Sequence, residues 1–300
     1  MIDKMVRTGH WGQERRLEFI DFRLLWEGRL NRADITTFFR ISVPQASLDL
    51  AKYQEIAPRN MVYDRTQKAY VTTPDFKPVF SSFDSNHYLN ELLGRENGIV
   101  DPCDSFIGWA PPVASLPLPA RKVQPEILID LIRAMQREQA LVVDYRSMTN
   151  EPAVRMLYPT AFAHDGHRWH IRAYCFKSAM FKDFVLGRFF NIIEFVSPPT
   201  SIPQDVDWNT FIDVVIGPNP NYDTNRRLSI EHDYQMVHGE AKIRIRQAQL
   251  YYLNRRLNLD VKIDSSIDDK QQIIMLRIEK PEDSIAVSYT HLTLPTKRIV

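Results

Sequence analysis

Two stretches near the middle of the chain carry the side chains best suited to binding a charged ligand. They are Tyr145-Arg146-Ser147 and the run from Trp169 to Tyr174. Because side chains alternate along a strand, His170, Arg172 and Tyr174 are expected on one face of that run. An imidazole, a guanidinium and an aromatic ring would then lie together, a set that suits stacking on bases and binding of phosphate.

Further basic side chains lie on neighbouring predicted strands, at Arg155, Lys182 and Arg188. They would extend the positive surface around Arg172. A second interpretation stays open, in which Arg172 and Arg188 pair with Asp144 or Asp183 on a solvated face of the sheet.

The histidine run His164-x-x-His167-x-x-His170 raises the question of a metal site. On a strand, His167 and His170 face opposite sides and cannot both bind one ion without a bulge, so no metal site is expected. The chain also lacks a glycine-rich phosphate loop, a nucleophile elbow and an HExxH motif. We therefore expect neither a cofactor nor an enzymatic activity.

The first third of the chain has the pattern of three helices followed by a hairpin. A helical stripe runs through residues 13–28, and Asn31 is suited to cap a second helix over residues 32–40. Ser42 is suited to cap a third helix, and residues 61–71 read as two short strands around a polar turn. A tight junction between the second and third helices, followed by a hairpin, is typical of a winged helix-turn-helix.

The third helix is expected to bury one face and to present the other to DNA. The side chains expected to be buried are Val43, Ala46, Leu50 and Tyr53. The expected DNA contacts are Ser42, Gln45, Ser47 and Lys52 on the helix, with Arg65 and Lys68 on the hairpin. Gln can form paired hydrogen bonds with adenine, whereas Lys and Arg bind phosphates. Asp49 is expected to form a salt bridge inside the domain.

Proline-rich stretches at residues 98–120 and 197–205 mark boundaries between domains. The predicted division is a winged helix-turn-helix over 1–95, an extended linker over 96–124, a β-barrel domain over 125–200 and an α+β domain over 205–280. In the barrel domain a helix at 125–138 precedes strands at 140–148, 153–158, 160–164, 167–175 and 183–195. In the last domain we expect a strand at 228–232, a helix at 242–257 and a strand at 271–278.

Composition restricts the class of protein. The 300 residues are 44% hydrophobic and carry a net charge of +1, so any nucleic-acid site must be a local patch rather than a generally basic surface. No apolar run is long enough to span a membrane, and the first residues lack a secretory signal. We therefore expect a cytoplasmic protein whose Cys103 and Cys175 are reduced.

These residues resemble a known family, the bacterial WYL-domain transcriptional regulators. Trp169-His170-Ile171 stands where the family has its Trp-Tyr-Leu, and Tyr145 to Met148 with Tyr158-Pro159 is similar to the opening strands of that domain. The chain is most similar to the BrxR/CapW-type repressors of anti-phage defence loci, through Ile41 to Ser47 and Lys52-Tyr53-Gln54. The resemblance covers about residues 10–278.

The resemblance implies an α+β multidomain homodimer. It would join a winged helix-turn-helix that holds an inverted-repeat operator, an Sm/SH3-like WYL barrel and a C-terminal WCX-like dimerisation domain. The barrel would sense a ligand, a nucleic acid or a nucleotide. The matching ligand positions are Tyr145, Ser147, Arg155, His167, Trp169, His170, Arg172 and Arg188. An alternative remains, a module that binds RNA or single strands and uses its helical domain for protein contacts.

The last stretch, residues 286–296, resembles translated library-adaptor sequence more than an ending of this family. We expect the natural C-terminus to be replaced from about residue 280, so that residues 281–300 form a non-native tail.

Overall fold

The computed structural model describes residues 8–81, 83–117, 119, 121–148, 153–259 and 271–280. They fall into two compact units, Met1–Pro119 and Ala120–Val300. Residues 149–152, between the first two predicted strands of the barrel domain, and the predicted non-native tail at 281–300 lie outside the described residues. The mixture of helices and strands confirms the expected α+β fold class. No helix in the described part of the chain is both long and apolar enough to cross a bilayer.

The first unit is a three-helix domain with a small antiparallel sheet. Its elements are α1 (Thr8–Glu27), β1 (Arg29–Leu30), α2 (Arg32–Phe39), α3 (Val43–Ile56), β2 (Met61–Asp64), β3 (Ala69–Thr72) and α4 (Ser85–Glu96). The strand order is β1-β3-β2, so the predicted hairpin gains a short third strand just after α1. This arrangement is the predicted winged helix-turn-helix.

Side-chain caps define the junction between α2 and α3. The Asn31 side chain accepts a hydrogen bond from the Asp34 backbone at 3.0 Å, and Asp34 accepts one from the Asn31 backbone at 2.7 Å. Such a reciprocal capping box satisfies two amides that a helix start leaves unpaired. Arg40 ends α2 in the left-handed conformation, with a φ of 52°. The Ser42 hydroxyl then caps α3 by accepting from the Gln45 amide at 3.3 Å, as predicted.

The core of the first unit forms where α1, α2 and α3 meet. Its buried members are Leu17, Phe19, Ile20, Leu24, Leu30, Ile35, Ala46, Leu50, Tyr53, Ala57 and Met61. The prediction that Val43 is buried is wrong, since its side chain is 54% exposed. Val43 is the first residue of α3, so it precedes the stretch of the helix that faces α1.

Part of the predicted linker packs onto the first unit. The segment after α4 is irregular, as expected for proline-rich chain, but Ser105 and Ile107 are buried. Ile107 packs with Phe22 and Leu92 in a second small core. Residues 105–107 therefore belong to the helical unit rather than to an extended connector.

The second unit begins with a helix and a five-stranded sheet. These elements are α5 (Pro125–Gln136), β4 (Ala140–Tyr145), β5 (Ala153–His164), β6 (Trp169–Cys175), β7 (Met180–Val185) and β8 (Phe189–Val196). Two details differ from the prediction: residues 153–164 form one strand, and residues 183–195 divide between β7 and β8. Ile127, Leu131 and Ala134 of α5 pack against the sheet and complete its core.

The sheet must be strongly curled. Its order is β7-β6-β5-β4-β8, so the edge strands are β7 and β8. In a flat sheet of this order the two edges would be about 19 Å apart. Yet only the 3₁₀ turn Leu186–Arg188 joins them, and the path from Val185 to Phe189 spans at most about 14 Å. The curl agrees with the expected small barrel.

The rest of the second unit is a three-stranded sheet with helices. Its elements are α6 (Val206–Asn209), β9 (Phe211–Pro218), α7 (Thr224–Asp233), β10 (Ala241–Arg246), α8 (Leu250–Leu257) and β11 (Ile273–Glu279). The strand order is β10-β9-β11. Only the last of the three predicted elements is confirmed.

Two element predictions in this region are wrong. Residues 228–232 form part of helix α7 rather than a strand, because Asp223 caps a helix start by accepting from the Arg226 amide at 3.0 Å. Residues 242–257 are not one helix, since Ala241–Arg246 pairs with β9 as strand β10 and the helix begins only at Leu250.

Candidate nucleic-acid interface and ligand site

Helix α3 presents a continuous outward face opposite its buried stripe. Ser42, Leu48 and Lys52 are exposed, whereas Ala46, Leu50 and Tyr53 are buried. Leu48, in the middle of this face, is an apolar side chain that is 64% exposed. The second helix of a helix-turn-helix needs such a face to enter a major groove.

Contacts inside the first unit hold Gln45 in place. Its side-chain amide donates to Asp49 Oδ1 at 3.2 Å. Asp49 is fully buried and accepts from Arg16 of α1, with an Nε–Oδ2 distance of 2.6 Å. The salt bridge expected for Asp49 is therefore present. Through its second hydrogen bond, Asp49 holds the Gln45 side chain in one orientation on α3.

The other predicted contacts on α3 have local partners. The Ser47 hydroxyl donates to the Val43 carbonyl at 2.9 Å, which leaves its oxygen as an acceptor. Lys52 forms an exposed ion pair with Glu55 at 3.0 Å. Exposed pairs of this kind are weak, so Lys52 can exchange Glu55 for a phosphate.

The hairpin tip is shaped by Asp64. Its Oδ1 accepts from the Thr66 and Gln67 amides at 2.7 and 3.1 Å. These backbone hydrogen bonds lower the pKa of Asp64 below its usual value. Lys68 closes the turn in the left-handed conformation, and both Arg65 and Lys68 point into solvent as exposed side chains.

The second unit contains a cavity of about 310 Å³ beside strands β4 to β7. Its lining is Tyr145, Ser147, Met148, Arg155, Arg168, His170, Lys182, Asp183, Phe184, Val185, Arg188, Tyr251 and Tyr252. Five of the predicted ligand residues are therefore brought together: Tyr145, Ser147, Arg155, His170 and Arg188. The Tyr145 hydroxyl accepts from the Val185 amide at 3.1 Å, which holds its ring at the cavity wall.

Two other predicted ligand residues lie away from this cavity lining. Trp169 is 52% exposed and its ring contacts His164, with the ring centroids 4.7 Å apart. Arg172 is buried, and its guanidinium donates to Asp205 at 2.7 and 2.9 Å and to Asp183 at 3.3 Å. Asp183 is one of the two partners that the second interpretation named for Arg172, but the pair is buried rather than solvated.

The two carboxylates keep Arg172 charged. Burial disfavours the charge, but the hydrogen bonds to Asp205 and the nearby charge of Asp183 outweigh that effect and raise the pKa of Arg172. Asp205 also caps α6 by accepting from the Trp208 amide at 3.2 Å. Arg172 therefore joins the curled five-stranded sheet to Asp205, which lies just before α6 and strand β9.

His170 is buried beneath helix α8. Its side chain is 2% exposed, and its ring lies 4.9 Å from the Tyr252 ring. Burial lowers the pKa of His170, and the charge of Asp165, at 3.8 Å, only partly opposes this. The Tyr252 hydroxyl donates to Asp183 at 2.9 Å, and burial followed by the Asp183 charge raises the pKa of Tyr252.

A second cavity of about 460 Å³ adjoins the first and holds the predicted residue His167. It is lined by Asp165, Gly166, His167, Arg168, Tyr251, Tyr252, Arg255 and Arg256. The sequence reasoning missed Arg168 and all four residues from α8. The available signal was the run Leu250 to Leu257, in which leucines recur at helical spacing and two tyrosines and two arginines fall between them.

Three family models match consecutive parts of the chain. A model described as the BrxR transcriptional regulator winged helix-turn-helix domain matches residues 12–94. A WYL domain model matches residues 126–193, and a model of the BrxR transcriptional regulator C-terminal dimerization domain matches residues 211–282.

Curated relatives match almost end to end. The DNA-binding transcriptional repressor CapW of Stenotrophomonas maltophilia is 40% identical over 273 residues, which cover 90% of this chain and 91% of that protein. The CapW repressor of Pseudomonas aeruginosa is 40% identical over 275 residues, with 91% of each chain covered. The chain belongs to the BrxR/CapW family of transcriptional regulators.

The family models follow the elements of this BrxR/CapW-family chain. The winged-helix match runs from α1 into α4, the WYL match from α5 into β8, and the dimerization match from β9 through β11. An Escherichia coli CapW repressor, from strain KTE188, is 41% identical over 250 residues, covering 83% of this chain and 84% of that one. A solved structure, the proteasome accessory factor PafBC of Arthrobacter aurescens, covers 87% of this chain and 49% of that one at 13% identity and a TM-score of 0.29, which is too distant to inform the site.

Proposed function

We propose that this protein is a dimeric, sequence-specific DNA-binding repressor whose hold on its operator is controlled by a ligand at the WYL domain. The observation that carries the proposal is the outward face of α3, which remains exposed while its opposite face is buried in the core. The names of the curated relatives, DNA-binding transcriptional repressors, support the same function.

The DNA contacts we propose are Ser42, Gln45, Ser47 and Lys52 on α3, with Arg65 and Lys68 on the hairpin. Gln45 and Ser47 would contact base edges, because they lie in the first half of α3, which enters the groove in this motif. Arg65 and Lys68 are exposed at the hairpin tip, where a wing crosses the backbone or the minor groove.

A homodimer would present two such helices to an inverted repeat. The match of residues 211–282 to a dimerization domain supports pairing through the C-terminal part. Two-fold symmetry in the protein then requires two half-sites whose centres are separated by one or more turns of the duplex.

The ligand we propose for the WYL domain is a nucleic acid or a nucleotide. The basic and aromatic lining of the 310 Å³ cavity supports this class, since phosphates pair with Arg and Lys while bases stack on rings. For the ligand to release the operator, it must bind the DNA-free arrangement of the dimer more tightly than the DNA-bound one. The sequence resembles BrxR/CapW-type repressors of anti-phage defence loci, and we propose such a locus as the target.

Competition binding on the full chain tests the proposed function. A labelled duplex from the region upstream of the protein's own gene is bound first and then challenged with unlabelled competitors. The proposal expects the same duplex to compete far better than an unrelated duplex. If labelled single strands, titrated alone, bound more tightly than the labelled duplex titrated alone, the protein would instead be a module that binds RNA or single strands, which is the alternative that the sequence left open.

A further inference from the structure

The two cavities of the second unit share lining residues and form one recess between the WYL sheet, which is the five-stranded sheet of β4 to β8, and helix α8. Arg168, Tyr251 and Tyr252 line both cavities, whose volumes are about 310 and 460 Å³. One wall is the WYL sheet and its turn Asp165–Arg168, and the other is helix α8 of the last domain. Pockets of this total size accommodate small ligands and nucleotides.

Helix α8 turns its polar side toward the recess. Leu253 and Leu257 pack into the core of the last sheet, which anchors the helix. Tyr251 is 58% exposed, and Arg255 donates to its hydroxyl at 2.9 Å. A ring and two guanidiniums, from Arg255 and Arg256, therefore line the same side of the recess.

The turn of the WYL sheet is shaped to receive Arg256. Gly166 has a φ of +86°, and a Cβ placed on it would lie 2.1 Å from Nη1 of Arg256. Any side chain at position 166 would therefore occupy the space that this guanidinium takes. The Asp165 carboxylate accepts from the His167 and Arg168 amides at 2.8 and 2.7 Å, which fixes the turn.

The recess has an excess of positive charge. Its cations are Arg155, Arg168, Lys182, Arg188, Arg255 and Arg256. Its carboxylates are Asp165 and Asp183. Asp165 accepts from backbone amides and pairs with Arg168 at 3.2 Å, whereas Asp183 accepts from Tyr252 and Arg172. The described lining therefore carries more cations than carboxylates, which favours an anionic ligand.

Two buried side-chain nitrogens of the recess lining, Nε of Arg155 and Nδ1 of His170, have no hydrogen-bond partner in the described part of the chain. The His170 side chain is 2% exposed. Buried polar atoms are nearly always paired, so an unpaired one beside a cavity indicates a missing donor or acceptor. A polar group of a ligand that reached past Tyr252 would supply the missing hydrogen-bond partner of His170 Nδ1.

We propose that helix α8 forms the second half of the ligand site, in which Arg255 and Arg256 bind phosphate and Tyr251 stacks on a base. The ligand would be a single-stranded nucleic acid or a nucleotide held between the WYL sheet and the dimerization domain. This inference rests on the proposed ligand control, and it places the ligand against the domain that pairs the two protomers. A merely structural role is the competing explanation, since basic residues in the last turn of a helix favour its dipole.

The test measures binding of fluorescein-labelled hexathymidylate to the full chain by anisotropy at several salt concentrations. The double variant R255A/R256A should bind at least about tenfold more weakly, and two lost phosphate contacts should flatten the salt slope by about 1.4. The matched control is R226A/R227A, which removes an arginine pair from α7 of the same domain and should leave binding unchanged. Thermal melting of both variants shows whether either change merely destabilises the fold.

Two further experiments identify which part of the ligand the recess binds. Tyr251→Ala should weaken hexathymidylate by about tenfold, and Tyr251→Phe should restore it, because stacking needs the ring and not the hydroxyl. Competition by thymidine 5′-monophosphate would indicate a nucleotide ligand. If only unlabelled hexathymidylate competed, the ligand would be a single strand.

Hexathymidylate binding that R255A/R256A leaves at the wild-type level would overturn this inference, as would a loss shared equally by R226A/R227A. The proposed repressor function fails in a different way, by absence of wild-type binding to the upstream duplex. R255A/R256A should keep that duplex binding, because α3 and the hairpin are untouched.

Discussion

At the residue scale, Gln45 shows how the interior of the helical unit controls its surface. Arg16 holds the buried Asp49, and Asp49 holds the Gln45 amide, so the chain of contacts runs from α1 to the outward side of α3. A side chain positioned in this way loses little conformational entropy when it binds a base.

The substitution Gln45→Ala should reduce operator preference more than general DNA affinity. A paired Gln–adenine contact is worth about 1–3 kcal/mol of discrimination, so the ratio of operator to scrambled-duplex affinity should fall about tenfold. Parallel titrations of both duplexes measure that ratio. An unchanged ratio would mean that Gln45 does not contact a base.

The substitutions Lys52→Ala and Arg65→Ala should act differently from Gln45→Ala. Each removes a proposed phosphate contact, so both should weaken operator and scrambled duplex to the same extent and lower the salt slope by about 1 each. Glu55→Gln is a useful companion, because it removes the anion that pairs with Lys52 at 3.0 Å without removing a cation. A selective loss for the operator would instead assign base contact to these residues.

His170 should make the stability of the second unit depend on pH. Burial lowers its folded-state pKa below 6.5, so the unfolded chain binds the proton more readily. Stability from this group is complete above about pH 6.5 and declines as pH falls, by at most about 1.4 kcal/mol per pH unit. His170→Gln should flatten this dependence in urea titrations between pH 5 and 7, whereas an equal slope in both proteins would show that His170 is not the group responsible.

Strand β6, which contains His170, shows how much of the site the sequence can predict. Alternation along the strand correctly separated His170 and Arg172 from the core-facing Ile171 and Ala173, which pack in the sheet interior. It could not reveal which distant residues would cover that face. Asp205 lies 33 positions after Arg172 and binds it, and Tyr252 lies 82 positions after His170 and contacts its ring. The prediction that Arg172 binds the ligand stays a prediction, and its two carboxylate partners would have to be exchanged first.

At the scale of elements, local signals succeeded where caps and stripes were unambiguous. Asn31 and Ser42 cap α2 and α3 as expected, and the stripe Leu17, Ile20 and Leu24 is buried. In the last domain the run Ala241–Arg246 alternates isoleucine with basic residues, which is a strand pattern, but the helical pattern that follows concealed it. The ligand-site residues on α8 were missed for a related reason, since only tertiary packing brings them to the WYL sheet.

The ion cluster that joins the elements of the second unit should be important for stability. Asp205→Ala leaves the buried Arg172 with only Asp183, and loss of one partner from a buried pair costs about 3 kcal/mol. The urea midpoint of the second unit should therefore fall clearly. Glu240→Ala, which breaks the exposed pair with Arg277, is the control and should shift the midpoint little. Equal shifts would show that burial does not distinguish the two pairs.

At the scale of the whole molecule, the proposed regulation needs pairing, DNA binding and ligand control to act on one dimer. The chain supplies a matched winged-helix domain, a WYL domain and a dimerization domain in that order. A ligand held between the WYL sheet and α8 would contact the domain that pairs the protomers. Such a ligand can shift the dimer from its DNA-bound to its DNA-free arrangement only as far as it binds the DNA-free arrangement more tightly.

Hydroxyl-radical footprinting of the upstream DNA with the full chain tests the central claim most directly. The account predicts two symmetric protected patches, with centres one turn of about 10 base pairs or a multiple of it apart, and loss of both patches when Gln45 and Lys52 are replaced together by Ala. Uniform protection without half-sites, or patches that persist in that double variant, would contradict a dimer that reads its operator through α3.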